Sequence, residues 1–218
     1  MAWPILIALA FVGLVVTLIL TQRRAEHART DALQQASLAL GLAFEAKGDL
    51  DQIRALGDLS LYNEGRSRHV TTVMSGRTGD DEAKIFDYRY TTGGGKESHT
   101  WTQTVALYPG GGRGLPAFVL SPENVFHKFA ALLGYQDIDF DSSPVFSSRY
   151  LLHGPDETAI RAAFTVEVRA LLEQQLGWTV EVQAGSVGIY RAGKRAKAEE
   201  IATFIEESRA VLRALTNR

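Results

Sequence analysis

The first pattern in the chain is an uninterrupted apolar run, PILIALAFVGLVVTLILT, from Pro4 to Thr21, followed at once by Arg23 and Arg24. At about 1.5 Å of rise per residue, a helix of this length crosses most of a ~30 Å hydrocarbon core. The run lacks the preceding charges and the small-x-small cleavage site of a signal peptide. The pattern therefore predicts an uncleaved transmembrane anchor over residues 1–22.

The charges beside this run predict the orientation of the anchor. Arg23, Arg24 and Arg29 follow the run, whereas no Lys or Arg precedes it. Because positive residues beside a membrane helix stay in the cytoplasm, we expect the N-terminus outside the cell membrane and the C-terminal domain in the cytoplasm. A cleaved or reversed anchor, with the domain in the periplasm, is the alternative that the sequence leaves open.

Residues 23–58 have the composition of a helical stalk or linker. Ala and Leu dominate DALQQASLALGLAFEAK, which predicts a helix that begins near Thr30, continues the membrane helix and ends at Lys47. Gly48 interrupts this helix, and the sequence DLDQIRALGDL predicts a second, short helix that ends near Gly57. We therefore expect two helices between the anchor and the globular part.

Alternation with a period of two begins at Val70. The runs VTTVMSG, AKIFDYRYTT and SHTWTQTVALY are rich in β-branched and aromatic residues, and turn residues separate them. In the middle run, Phe86, Tyr88 and Tyr90 share one face, and Asp87 lies on the other. We expect an antiparallel meander of three strands in which the aromatic face is buried.

Beyond Tyr108 the pattern alternates between strands and helices. Ser121 as a cap and Pro122 at the first helical position predict a helix that Gly134 closes. An α+β fold follows, with helices packed on the sheet and a single globular domain over residues 59–218. The other predicted elements are a strand over 115–120, an extended piece over 137–141, a strand over 148–154, a helix over 155–176, a hairpin of 178–183 with 187–191, and a C-terminal amphipathic helix over 197–215.

The composition excludes several classes of function. The chain has 218 residues, with 23 basic and 25 acidic side chains and a net charge of −2, so no global field attracts nucleic acid. The absence of cysteine excludes thiolate nucleophiles and Cys-ligated metals. The five histidines are never within a helical turn of one another, so no pair has local ligand spacing.

The glycine-rich segments resemble phosphate-binding loops only superficially. A P-loop around Gly95 and Lys96 requires Gly where Tyr90 stands and Ser or Thr where Glu97 stands. We therefore interpret this segment as a hairpin tip, and Gly110–Gly114 as a connection.

Three carboxylates at alternate positions, Asp137, Asp139 and Asp141, are candidate cation ligands. An EF-hand loop requires Gly and Glu where this chain has Ser142 and Ser148. The same alternation predicts that the intervening Ile138 and Phe140 face inward while the aspartates face water. Whether the three aspartates bind a cation is left open.

No local pattern supplies a catalytic group. His99 and His127 have no nucleophile at a supporting position, and the sequence AGSVG around Ser186 lacks the first glycine of a G-x-S-x-G elbow. The sequence therefore assigns no catalytic, cofactor-binding or metal-binding residue and predicts no cofactor.

The segments IFDYRYTTGGGK, QTVALY, LPAFVLSPE, DIDF and GPDE resemble those of an uncharacterised bacterial family of single-pass membrane-anchored proteins. The resemblance covers most of the chain after about Ala39. It implies a bacterial origin and a domain carried behind one hydrophobic helix, and it implies no activity.

These observations give two hypotheses of function. The first is a membrane protein whose cytoplasmic domain is a non-catalytic module that binds a protein partner or a lipid head group, with no nucleic acid. The second is a membrane-associated enzyme whose site is assembled only in the fold. A concave pocket with convergent titratable groups would favour the enzyme, and an exposed interaction surface would favour the module.

Overall fold

The computed structural model describes residues 3–123 and 136–217, with only the backbone described at 4–6 and 8–10. The helix predicted from Ser121 to Gly134 lies almost entirely outside this part, as does His127. Ser121 and Pro122 themselves end a strand, Phe118–Pro122, so their predicted roles as helix cap and first helical residue are wrong. Their backbone pairs with the strand Tyr150–His153.

The apolar run and the Ala/Leu-rich segment form one helix, α1, over Trp3–Ala39. It stops before the predicted end because Gly41 adopts a left-handed conformation with φ of 71°. The amide of Leu42 then donates to the carbonyl of Ser37 at 2.8 Å, and the amide of Gly41 donates to that of Leu38 at 3.1 Å. These two bonds form a Schellman motif, which satisfies the last carbonyls of the helix.

Within the described residues, none of the helices combines the length and the apolar character that crossing a membrane requires. The predicted anchor Pro4–Thr21 is part of α1, and several of its side chains lie outside the described part. This finding gives the predicted transmembrane helix no support.

Eight strands form a single sheet in the order β1-β2-β3-β4-β8-β7-β5-β6, and every neighbouring pair is antiparallel. The α+β prediction is confirmed, and the predicted meander is β2-β3-β4. The strands are β1 (Ala43–Lys47), β2 (Arg66–Thr78), β3 (Asp81–Thr92), β4 (His99–Tyr108), β5 (Phe118–Pro122), β6 (Tyr150–His153), β7 (Thr179–Gln183) and β8 (Ser186–Tyr190).

Strand β1 contradicts the prediction of a helix up to Lys47. The sequence AFEAK has helix-forming residues, but its backbone pairs with the long strand β2, where Phe44 lies opposite Met74. Tertiary pairing therefore overrides local propensity at this edge of the sheet.

The described residues contain five further α-helices. The helix predicted over 155–176 is divided into α4 and α5, because Thr165 caps a second start by accepting from the amide of Val168 at 3.4 Å. The C-terminal amphipathic helix is confirmed. The helices are α2 (Leu50–Leu56), α3 (Pro144–Ser147), α4 (Glu157–Ala163), α5 (Val166–Gln174) and α6 (Ile201–Thr216).

Each face of the sheet has its own apolar core. The C-terminal half of α1, together with α3 to α6, covers one face, which we call the helix face. On the opposite face, which we call the turn face, α2 and the 3-10 turn Ser60–Asn63 cover the aromatic side chains of β3. Phe86, Tyr88 and Tyr90 are buried there, as predicted. The turn can approach because Gly188 has no side chain under Leu59.

Candidate functional site

A buried carboxylate fastens α1 to the helix face. Asp87, in the middle of β3, is only 3% exposed. Its Oδ2 atom accepts from Arg29 Nη2 of α1 at 2.8 Å and faces Arg195 Nε at 3.1 Å. Its Oδ1 atom accepts from the Thr104 hydroxyl at 2.7 Å. The carboxylate therefore joins the helix, the sheet and the segment that follows β8.

Arg195 extends this network to the outer side of α1. Its two terminal nitrogens donate to both carboxylate oxygens of Glu26, at 3.0 and 2.6 Å. Strand β4 holds the backbone beside Arg195: the amide of Thr104 donates to the carbonyl of Lys194, and the amide of Ala196 donates to the Thr104 hydroxyl. This fixed backbone places the guanidinium between the two carboxylates. We call Glu26, Arg29, Asp87 and Arg195 the junction.

The junction balances two positive against two negative charges in a partly dry environment. Burial raises the pKa of the Asp87 carboxyl, and the neighbouring Arg29 and Thr104 partly offset that effect. The hydrogen bond from Arg195 lowers the pKa of the more exposed Glu26 carboxyl. Removing one partner of such a buried pair leaves an uncompensated charge, so the junction resists separation of α1 from the sheet.

A second buried carboxylate lies on the turn face. Glu181, in the middle of β7, is 1% exposed. Its Oε2 atom accepts from the amide of Ser60 at 2.7 Å, from the Ser60 hydroxyl and from the amide of Leu61 at 3.4 Å. Its Oε1 atom accepts from the Tyr190 hydroxyl at 2.6 Å. Glu181 thus caps the 3-10 turn from the sheet below it, a role that local residues usually fill.

Neutral donors surround Glu181, unlike Asp87. Burial raises the pKa of the Glu181 carboxyl, and hydrogen bonds from Ser60 and Tyr190 partly offset this. Burial and the adjacent Glu181 raise the pKa of the Tyr190 hydroxyl well above its ordinary value.

A cleft of about 410 Å³ opens beside Glu181. Val119 of β5 pairs with Glu181 on one side and with His153 on the other, so the three residues form a row on one face. Asp58 and Asn63 line the cleft from the covering turn. Titratable groups therefore converge on a concave surface, although the donors described above already occupy the Glu181 carboxylate.

The three candidate aspartates do not converge. Asp137 Oδ1 accepts from the amide of Leu152 at 2.8 Å, whereas Asp139 and Asp141 are exposed. Ile138 and Phe140 are buried, as predicted. Among the described residues, no cluster of His, Asp and Glu side chains is arranged to hold a metal ion.

The other residues singled out in the sequence have structural surroundings. The His99 ring packs against the Trp101 ring at an interplanar angle of 59°, with ring centroids 4.1 Å apart, at an exposed strand end. Ser186 is buried and donates to the carbonyl of Leu56 at 2.6 Å, which ties the β7-β8 hairpin to α2. Gly95 and Lys96 lie in the exposed β3-β4 turn, as predicted.

Sequence reasoning did not identify the residues that hold the covering segments. Asp87 and Glu181 do carry a signal, since each is a charged residue within a strand whose neighbours are apolar. Arg29 and Arg195 carry none, because only the fold brings them to Asp87.

We compared the chain with protein-family models, with curated proteins and with solved structures, and none of the three comparisons gave a match.

Proposed function

We propose that the chain is a single-pass membrane protein in which α1 is both the anchor and a structural part of a cytoplasmic, non-catalytic binding module. The observation that carries this proposal is the continuity of α1. One uninterrupted helix contains the apolar run and, further along, Glu26 and Arg29 of the junction. The anchor and the domain therefore have no flexible linker between them.

The surface of the N-terminal half of α1 supports the anchor. A helix that is hydrophobic on all sides needs an apolar environment around it, whereas a surface helix has one apolar stripe. An exposed apolar surface of this kind marks a contact with a membrane or a protein. The exposed large side chains of this half include Phe11, Val12, Leu14, Val15, Val16, Leu18, Ile19 and Leu20.

The junction gives this arrangement a functional consequence. Because Arg29 is bonded to a buried carboxylate of the central sheet, a change in the tilt of α1 moves the whole domain. A domain fixed in this way presents a constant surface to the membrane plane. Such geometry suits a module that binds a lipid head group or a protein at the membrane.

The Glu181 cleft is the observation that favours the alternative, a membrane-associated enzyme whose substrate binds there. A general acid or base needs a carboxyl oxygen within reach of its substrate. Both oxygens of Glu181 already accept hydrogen bonds from the protein. The binding module therefore agrees better with the chemistry of this carboxylate.

Membrane extraction tests the anchor. We expect the full chain to stay with bacterial membranes in high salt and at alkaline pH, and to be released by detergent. The double change Leu14→Arg and Leu18→Arg places two charges in the span, and each costs ~2.5–3.5 kcal/mol near the centre of the bilayer. This variant should move to the soluble fraction. The matched control, Leu14→Ala with Leu18→Ala, should stay with the membranes. Wild-type chain in the soluble fraction would contradict the proposal.

Reporter fusions at Arg218 test the orientation. A reporter that is active only in the cytoplasm should be active, and a periplasmic reporter should be silent. A variant with Arg23→Asn, Arg24→Asn and two Lys added after Met1 should have the reversed orientation or a mixture of both orientations. The reason is that Lys and Arg beside the helix set the orientation. An active periplasmic fusion of the unaltered chain would place the domain on the other side.

A further inference from the structure

The two ends of the β2-β3-β4 meander differ in charge. Asp80, Asp81 and Glu82 lie at or beside the β2-β3 turn, at one end. Arg66 begins β2, and the β3-β4 turn carries Lys96, at the other end. We call these the acidic end and the basic end, although Arg77 and Lys84 also lie near the acidic one. In the sequence the two sets are interleaved, and only the hairpin topology separates them.

The basic end has a defined construction. The Arg66 guanidinium donates to the carbonyl of Gly93 and, at 3.2 Å, to the Ser98 hydroxyl, so it joins the start of β2 to the β3-β4 turn. Lys194 lies beside β4 between this end and the junction: its carbonyl accepts from the amide of Thr104, and the preceding Gly193 packs against the Trp101 ring. The basic end is the set Arg66, Arg89, Lys96 and Lys194, all of them exposed.

The cations of the basic end take part in none of the ion pairs found among the described residues, although Arg66 also donates to the β3-β4 turn. The ion pairs found among the described residues involve other cations, chiefly Arg29, Arg191 and Arg195. The nearby carboxylates are Glu97, on the same turn as Lys96, Glu64, before β2, and Glu26 of the junction, whose pKa Arg89 helps to lower. Positive charge is therefore in excess at this end.

Helix α1 runs along the meander from the acidic end to the basic end. Near its C-terminus, Leu42 contacts Gly76 close to the acidic end. Further toward its N-terminus, Arg29 contacts Asp87, which lies two residues before Arg89 on β3. The N-terminal half of α1 therefore leaves the domain at the basic end.

The lengths of the two elements place the hairpin tip near the end of the apolar run. From Asp87 to Thr92, five residues of strand span about 17 Å. The same distance along α1 from Arg29 corresponds to about eleven residues, which reaches roughly Leu18. Where α1 is inclined to the strands, a distance of about 17 Å along β3 corresponds to a shorter distance along the helix axis. The hairpin tip is then level with a residue between Leu18 and Thr21. The tip therefore stands at the level where the anchor would meet the head groups.

We infer that the basic end is a docking surface for anionic lipid head groups, with Arg66, Arg89, Lys96 and Lys194 facing the phosphates. This inference depends on the proposed function, because α1 must enter the bilayer for the tip to reach its surface. Charge complementarity and continuity with the anchor identify the occupant. Basic residues close to an anionic membrane surface are attracted to it, and the attraction falls off within a Debye length.

Single cysteines report the position of each end, since the chain has none of its own. Gly94 suits the basic end, because its φ is −143° and a side chain there meets open space. Asp80 is exposed at the acidic end, and Val16 lies in the apolar run. The full chain, with a fluorophore at Gly94→Cys, Asp80→Cys or Val16→Cys, is placed in nanodiscs of phosphatidylcholine alone or mixed with phosphatidylglycerol.

Nitroxide lipids then distinguish the outcomes. Head-group nitroxide should quench the label at position 94 in anionic discs, with much less quenching in neutral discs or high salt, and should leave position 80 unquenched. Acyl-chain nitroxide should quench position 16. If the label at position 16 is not quenched, the proposed membrane anchor is wrong. If position 16 is quenched and position 94 is not, the anchor stands and the lipid-docking inference is overturned.

Charge variants test the cause of the quenching. In the Gly94→Cys chain, the triple change Arg89→Gln, Lys96→Gln and Lys194→Gln should reduce quenching severalfold. The matched control is the triple change Arg77→Gln, Lys84→Gln and Arg113→Gln. It removes three positive charges at the other end and should leave the quenching at position 94 unchanged. An equal loss of quenching in both triple variants would overturn the inference of a docking surface. Shielding of position 94 in native membranes without quenching in pure lipid would point to a protein partner instead.

Discussion

Asp87 and Glu181 are buried carboxylates on opposite faces of one sheet, and each fastens a covering segment to it. Asp87 holds α1 through two guanidinium groups. Glu181 holds the 3-10 turn through the amides of Ser60 and Leu61 and the Ser60 hydroxyl, and it also accepts from the Tyr190 hydroxyl of β8. The first contact neutralises charge with charge, whereas the second stabilises a carboxylate with dipoles alone.

This difference shows how the two faces respond to perturbation. At the junction, the loss of one carboxylate leaves two arginines with too little negative charge nearby. At Glu181, the loss of the carboxylate leaves only neutral donors, and the adjacent cleft lets water reach them. We therefore expect the helix face to be more sensitive than the turn face to substitution of its carboxylate.

The largest effect is expected for Asp87→Ala. Breaking a buried ion pair typically costs 3–5 kcal/mol, and we expect about 3 kcal/mol because the Arg29 and Arg195 side chains remain 16% and 26% exposed. The free energy of unfolding is measured by guanidinium denaturation of the full chain in detergent, with tryptophan fluorescence as the readout. Asp141→Ala, at an exposed aspartate, is the control and should change stability by less than about 0.5 kcal/mol. A cost below about 1 kcal/mol for Asp87→Ala would mean that the junction does not hold α1.

Glu181→Ala should have the second largest effect. It removes the acceptor of four groups, the amides of Ser60 and Leu61 and the hydroxyls of Ser60 and Tyr190, and unsatisfied buried donors cost about 1–3 kcal/mol. Since water can enter through the cleft, we expect about 2 kcal/mol in the same denaturation experiment.

Tyr190→Phe provides the matched test of that mechanism, because it removes one donor and keeps the ring. In a double-mutant cycle with Glu181→Ala, the two effects should be clearly non-additive. Simple additivity would show that the hydrogen bond to Tyr190 contributes nothing.

The stability of the protein should depend on pH through Glu181. Burial raises the folded-state pKa of Glu181 above its ordinary value of 4.5, so the folded protein binds more protons than the unfolded chain above pH 4.5. The contribution of Glu181 to stability is therefore full below pH 4.5 and is lost as the pH rises through its folded-state pKa. The stability advantage of wild type over Glu181→Gln should shrink from pH 4.5 upward. An advantage that grows with pH would contradict this sign.

The sequence predicted the elements whose signals are local. Alternation identified β2, β3 and β4, and the face of Phe86, Tyr88 and Tyr90 was correctly placed in a core. The apolar stripe of α6, including Ile201 and Phe204, was also correct. These patterns succeed because burial on one face determines which residue types a strand or helix carries.

The candidate site could not be predicted in the same way. Arg29 and Asp87 are 58 residues apart in the chain, and Ser60 and Glu181 are 121 apart. No short spacing encodes such contacts. Strand β1 was missed for a related reason, since AFEAK becomes a strand only because β2 extends far enough to pair with it.

The smallest effect is expected for Glu26→Gln, which tests whether the outer half of the junction matters. The Glu26 side chain is 62% exposed, and exposed ion pairs typically contribute 0–1 kcal/mol. Glu206→Gln is the matched control, because Glu206 pairs with Arg209 and is 63% exposed. We expect each variant to lose less than about 1 kcal/mol, and less again at high salt.

The pH dependence of Glu26→Gln should have the opposite sign to that of Glu181→Gln. The bond from Arg195 lowers the pKa of Glu26, so its contribution is present above its ordinary value of 4.5 and is lost as the pH falls through its folded-state pKa. If Glu26→Gln instead cost as much as Asp87→Ala, α1 would be held from its outer side. The contrast between a buried ionic contact and an exposed one within the junction would then be wrong.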